Sequence, residues 1–167
     1  MSACPCGSGR DFDRCCGPIL AGEAAPTAEA LMRSRYTAFV RHDIDHIERS
    51  CVPETRATFS RADVERVADE CDWGPLTVMK AEEHGDEGMV EFFLTFQRDG
   101  EDWPLHERSR FRRVDGRWLY VDSVLNPKDP PRRVVKVGRN DPCPCGSGKS
   151  TRPAAGADRR PQRSPFS

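Results

Sequence analysis

Apolar positions along the chain change period once, near residue 75, and the change separates predicted helices from predicted strands. Ala28, Leu31, Met32, Tyr36 and Phe39 recur at helical spacing, and Pro26-Thr27 opens that first helix. Asp43 is placed to cap a second, short helix with Ile44, Ile47 and Cys51 inward. A third starts at Ser60, with Asp63 three residues on as a partial capping box and Val64, Val67, Ala68 and Cys71 as its apolar face. After Trp73-Gly74-Pro75 the period becomes two. Strands are expected over Leu76–Glu82, Met89–Gln97, Leu105–Arg113 and Trp118–Val124, with Val90, Phe92, Leu94 and Phe96 pointing one way. Asp99-Gly100 and Asp115-Gly116 are hairpin signals, and Gly85 to Gly88 makes a looser turn. Helices first and an antiparallel meander after them is an α+β order, not an alternating βαβ one.

At 167 residues the chain accommodates one ordinary domain with small appendages. The expected divisions are a cysteine knuckle and small-residue linker at 1–25, a central domain at 26–130, a second cysteine segment at 131–148 and a basic tail at 149–167. No stretch approaches the roughly 20 apolar residues that span a bilayer, and no secretory pattern opens the chain. A cytoplasmic protein is expected, in which clustered cysteines stay reduced and hold metal more often than disulfides. The net charge is −1. Five basic residues against Asp158 give the segment after Gly148 +4, which leaves −5 for the rest. No aromatic residue is interleaved with those arginines, so a solvated basic end is expected, and the acidic body argues against nucleic acid as the main partner.

The chemistry is concentrated in the cysteines. Cys4-Pro5-Cys6-Gly7-Ser8-Gly9 is followed by Cys15-Cys16, a pattern that can place four thiolates around one tetrahedral ion. Gly7 and Gly9 let the backbone curl around the sulfurs. Disulfides or redox thiols are the competing reading, weakened because no charged group stands near to lower one thiol's pKa. The hexapeptide recurs as Cys143-Pro144-Cys145-Gly146-Ser147-Gly148 with no further cysteine. Two thiolates cannot close a mononuclear site, so this half-site is expected to be empty unless two chains pool their sulfurs. Gly148-Lys149-Ser150 looks like the end of a phosphate-binding loop, but the first glycine of that pattern would fall on Cys143.

The front segment, with Asp11, Phe12 and Cys15-Cys16-Gly17, resembles the SEC-C motif, the zinc knuckle of the SecA translocation ATPase. Together with Leu31-Met32-Arg33-Ser34-Arg35-Tyr36-Thr37-Ala38-Phe39 and His106-Glu107-Arg108-Ser109-Arg110-Phe111, it makes the chain resemble the YchJ family. The resemblance implies a nuclear-transport-factor-2-like (cystatin-like) cone of helices on a curved antiparallel sheet. It also implies zinc (Zn2+) on Cys4, Cys6, Cys15 and Cys16, and a knuckle that contacts a protein partner or the ribosome, as that of SecA does.

Cones of this kind enclose a pocket, and the sequence offers candidates for its polar lining. On Leu105–Arg113, Glu107 shares a face with Leu105, Ser109 and Phe111, so Phe111 packing inward carries Glu107 with it. Arg33, Arg35 and Tyr36 on the first helix are placed to reach it, and Asp122 beside Tyr120 and Trp118 is a further candidate. A structural Glu–Arg tie is the plainer expectation. His42 and His46 are expected to be solvated, and Cys51 and Cys71 to be core. No Ser/His/Asp or Cys/His set stands out, so the enzyme case is weak. Three readings remain open: a zinc knuckle that contacts partners, a small-molecule or catalytic pocket in the central domain, and a metal that only pins the N-terminus.

Overall fold

The computed structural model describes residues 2–128. Short polar side chains start its main helices. Thr27 accepts the Ala30 N–H at 3.0 Å to cap α2 (Ala28–Arg41), preceded by the short α1 (Cys16–Leu20). Asp43 accepts the His46 N–H at 3.0 Å to cap α3 (Ile44–Arg49). Ser60 does the same for α5 (Arg61–Glu70), as expected. Between them lies α4 (Pro53–Arg56), which at four residues is too short to show a period in the sequence.

Five antiparallel strands follow. β1 (Asp72–Trp73) and β2 (Thr77–His84) share one edge of β3 (Glu87–Arg98). The other edge of β3 pairs with β4 (Glu101–Val114) over its whole length, from Glu87↔Arg112 to Arg98↔Glu101, and β4 pairs with β5 (Arg117–Leu125). Both Asp-Gly turns have positive φ at both central residues, the left-handed pair that a type I′ hairpin demands. The third turn is tighter than expected, Gly85-Asp86 alone, with positive φ at Gly85.

β4 begins four residues before the expected Leu105. Pro104 hides the start, because proline is rare inside sheets. Here it is tolerated, since β5 pairs with β4 only from Glu107 onward and no neighbour needs the missing N–H. A second difference has larger consequences. Arg110 opposes Asp122 while Phe111 opposes Tyr120, so Val121 is an extra, bulged residue. The bulge reverses the alternation of β5: Tyr120 and Ser123 both face inward, and Asp122 faces out with Arg110.

The helices cover the inner face, where Val90, Phe92, Leu94, Phe96, Leu105, Phe111 and Trp118 are buried against Leu31, Met32 and Tyr36. Cys4, Cys6, Cys16 and Ile19 join the same cluster, so the knuckle and the central domain share one core. A smaller cluster of Ala38, Ile44, Ile47 and Ala68 ties α2, α3 and α5 together. No described helix is long and apolar enough to cross a membrane.

α2 enters the sheet through a close approach. The Glu83 carboxylate accepts the Ala28 N–H at 2.7 Å, and Gly88 on β3 leaves the room. A Cβ on Gly88 would lie 2.7 Å from the Ala28 Cβ and 3.0 Å from the Trp118 ring. Gly88→Ala should therefore lower stability by about 1–3 kcal/mol, read as a shifted urea midpoint. An unchanged midpoint would show that helix and strand have slack here.

Candidate metal centre

The knuckle is built from hydrogen bonds local to its own segment. Ala3 bridges Asp11 in antiparallel fashion, the Cys4 N–H donates to Arg10 O at 2.9 Å, and the Phe12 N–H donates to Ser2 O at 3.0 Å. Gly7 and Gly9, at φ 73° and 77°, turn the chain between these rungs. A 3-10 turn over Phe12–Arg14 then delivers Cys15, and α1 starts on Cys16. Gly17 is required there, because a Cβ would stand 2.8 Å from Phe12 O.

These turns bring the Sγ atoms of Cys4, Cys6, Cys15 and Cys16 within 4.8 Å of one another. Cys6 and Cys15 are 3.5 Å apart and Cys15 and Cys16 3.9 Å, and all four are free thiols. A disulfide needs about 2.05 Å. Four thiolates at ~2.3 Å from a tetrahedral ion stand about 3.8 Å from each other, so the donor set fits such an ion. Among the described residues it is the only His/Cys/Asp/Glu group so arranged.

The surroundings favour charge on one of these sulfurs and oppose it on two others. Cys6 is pushed down to about 4, first by a hydrogen bond from Cys16 and further by Ser8, whose hydroxyl lies 3.1 Å from the Cys15 sulfur. Cys16 is pushed up, first by the same hydrogen bond, and Cys15 is pushed up by burial. Arg33 braces the cluster from α2: its Nη1 donates to Cys6 O at 2.7 Å and its Nε to Glu29 at 2.8 Å. Thr37 touches the Cys4 sulfur. Three of the cysteines are buried, and Cys15 is half-buried.

Comparison with known proteins agrees with this arrangement. Residues 27–123 match the family model described as the middle NTF2-like domain of YchJ, and residues 2–18 and 139–150 match the SEC-C motif. A UPF0225 protein of Photorhabdus laumondii is 44% identical over 92% of this chain and 98% of its own length. The chain belongs to the YchJ family. A UPF0225 protein of Geobacter sulfurreducens is 40% identical over the same shares. The solution structure of a SEC-C motif containing protein from Rhodopseudomonas palustris, 41% identical, covers 74% of this chain and 98% of that one with a TM-score of 0.70. A crystal structure of a SEC-C motif containing protein from Psychrobacter arcticus, 26% identical, covers 89% and 92% with a TM-score of 0.67. The second cysteine pair of this YchJ chain, Cys143 and Cys145, lies outside the described residues.

The sequence-predicted pocket residues separate. Glu107 faces inward, where the Ser109 hydroxyl donates to it at 2.7 Å. Burial pushes its carboxyl up, opposed by the Ser109 and Ser123 hydroxyls and the charge of Arg35. Arg35 makes no ion pair with it: Nη1 donates to Ile47 O at 2.7 Å and to Ser50, and the guanidinium stacks 4.2 Å over the Tyr120 ring. The expected Glu–Arg tie is replaced by a hydroxyl shell around Glu107 and a carbonyl cap around Arg35. Tyr36 is elsewhere, its hydroxyl donating to Gly74 O at 2.6 Å, and Arg33 is held at the knuckle. Asp122 is not a pocket residue. The Val121 bulge turns it outward, where Arg110 holds its carboxyl below the usual range.

His42 is exposed beside Asp69, but His46 is buried, its Nε2 2.9 Å from the Ser34 hydroxyl, against the expectation of a solvated pair. Its place beside Ile47 on a two-turn helix was the missed signal. The partners of Glu91 were not read from the sequence: on the outer sheet face it accepts from His106 at 2.8 Å and from Arg108 at 2.7 Å. Cys51 and Cys71 are core residues, as read.

Glu107 carries a testable pH signature. With its folded pKa raised above the ordinary carboxyl value, its contribution is full below that ordinary value and is lost as pH rises through the folded pKa. Glu107→Gln keeps the shape without the charge. Its melting temperature should exceed the parent's at pH 8 and match it near pH 4, and the reverse order would refute the buried carboxyl.

Proposed function

We propose that this YchJ-family chain binds one Zn2+ through Cys4, Cys6, Cys15 and Cys16, and that the metal clasps the first 25 residues to the NTF2-like domain. The observation that carries this reading is the direction of the sulfurs: they turn into the core closed by α2, where Cys6 and Cys16 are 0% and 1% exposed. Four soft donors at tetrahedral spacing suit zinc, and a closed set leaves no position for a substrate. When bound, the ion supplies positive charge and cross-linking; the chain's own residues orient the ligands, Arg33 by holding Cys6 O and Ser8 by lying against Cys15. Free thiols of this kind belong to a reducing compartment such as the cytoplasm.

Elemental analysis of the parent against Cys15→Ser, Cys16→Ser should show one zinc lost per chain, with a melting temperature lower by on the order of 10 °C. Equal zinc contents would remove the metal assignment, and lost zinc with an unchanged melting temperature would remove the clasp.

A second reading concerns partners. With the sulfurs turned inward, Gly7, Gly9, Arg10, Asp13 and Arg14 are left exposed on the outer side of the knuckle. That rim is the surface we assign to contact with a protein or the ribosome, its two arginines giving a weak, salt-sensitive attraction to an acidic site. Arg10→Ala, Arg14→Ala keeps every cysteine. Co-sedimentation with purified ribosomes at low salt should drop for this variant, and equal binding by the parent would end the assignment.

A further inference from the structure

Away from the cysteines, the turn after α1, the helix α3 and the start of β5 enclose a cleft of about 270 Å³. Ile19, Leu31, Trp118 and Leu119 give it apolar walls, and Arg49 and Arg117 stand at its sides. Each arginine is tied to the turn by one nitrogen: Arg49 Nη2 donates to Leu20 O, and Arg117 Nη1 to Gly22 O at 3.1 Å. Neither makes an ion pair among the described residues, although Arg61, Arg66, Arg98, Arg108, Arg110, Arg112 and Arg113 all do. Glu23 lines the same cleft and pairs with neither.

Two further polar groups mark the walls. His46 is 3% exposed, with Nδ1 3.2 Å from Arg49 Nη2 and Nε2 2.9 Å from the Ser34 hydroxyl, which donates onward to Leu31 O. An arginine nitrogen can only donate, so Nδ1 accepts and the ring is neutral. Burial first, then Arg49 and Arg35, push it down to about 4, so it does not compete for an anion. Trp118 is 2% exposed, and its indole N–H finds no acceptor among the described residues. Such a donor is normally satisfied when buried.

We propose that the cleft is a binding site for a small organic anion, a carboxylate or phosphate head on a compact apolar body. The head takes the free guanidinium edges of Arg49 and Arg117, which suit planar or tetrahedral oxyanions, and the body lies on Trp118, Leu31 and Ile19. Concave, mostly apolar sites with a few converging polar groups are where small molecules bind. The proposal is independent of the metal and of the knuckle's partners.

The test is an NMR titration of the full chain, following the indole N–H of Trp118 among its three tryptophans. Benzoate and phenyl phosphate probe the two heads on one body, and benzyl alcohol probes the body alone. Either anion should give a saturable shift by about 20 mM, with benzyl alcohol at least ~10-fold weaker. The anion that binds tighter names the head. Arg117→Gln, and Ala24→Glu at the exposed mouth, should each weaken binding by roughly 3- to 10-fold without disturbing knuckle signals. Adding Arg49→Gln to Arg117→Gln should abolish binding; should that pair unfold, the two single variants carry the test. No saturable shift with either anion, equal shifts from benzyl alcohol, or parent-like binding by Arg117→Gln and Ala24→Glu would each overturn the site.

Discussion

Four sulfurs drawn together inside a core are a constraint that the rest of the N-terminal half has to satisfy. Bringing thiols this close favours a thiolate on Cys6, and a buried charge needs partners within reach. Those partners come from two directions. Ser8 belongs to the same loop, and Arg33 and Thr37 lie on α2. The knuckle is therefore seated rather than appended. Its position sets where α1 runs, and α1 sets where the following turn meets Arg49 and Arg117.

α2 serves both sides of this arrangement. One face receives the cysteines, while Leu31, Met32 and Tyr36 meet the sheet, and its first turn is held by Glu83 over Gly88. Most of the ion pairs among the described residues lie outside this framework, on exposed side chains where each contributes little. Glu91 is different: at 12% exposure it takes His106 and Arg108 together, joining β3 to β4 on the sheet's outer face. Polar bonds thus tie the strands from outside, and apolar burial ties the helices from inside.

Residues whose local and global preferences agree were legible in the sequence. Thr27, Asp43 and Ser60 cap helices wherever they are placed, and Asp-Gly between alternating runs makes a hairpin. The cysteine cluster was legible for the same reason, since its ligands sit within 13 residues and its glycines permit one path. What escaped was non-local. The Val121 bulge depends on how β5 registers against β4, and strict alternation sent Asp122 inward in place of Ser123. Pro104 reads as a breaker until the missing neighbour is seen, and the burial of His46 depends on Ser34, twelve residues away. Glu107 faced inward as read, but its partners did not follow from helical reach, because Arg35 was claimed by the carbonyl end of α3.

Cys15 is the least buried of the four cysteine residues. Affinity at such a centre is a property of all four donors, but exchange is a property of the most accessible one. An oxidant, a chelator or an arriving ion encounters Cys15 first, with Ser8 beside it, while Cys4, Cys6 and Cys16 wait behind. Thermodynamic hold and kinetic access are thereby assigned to different atoms. A centre of this design can be firmly held at equilibrium and still be quick to load or empty, with one hydroxyl and one thiol setting the pace.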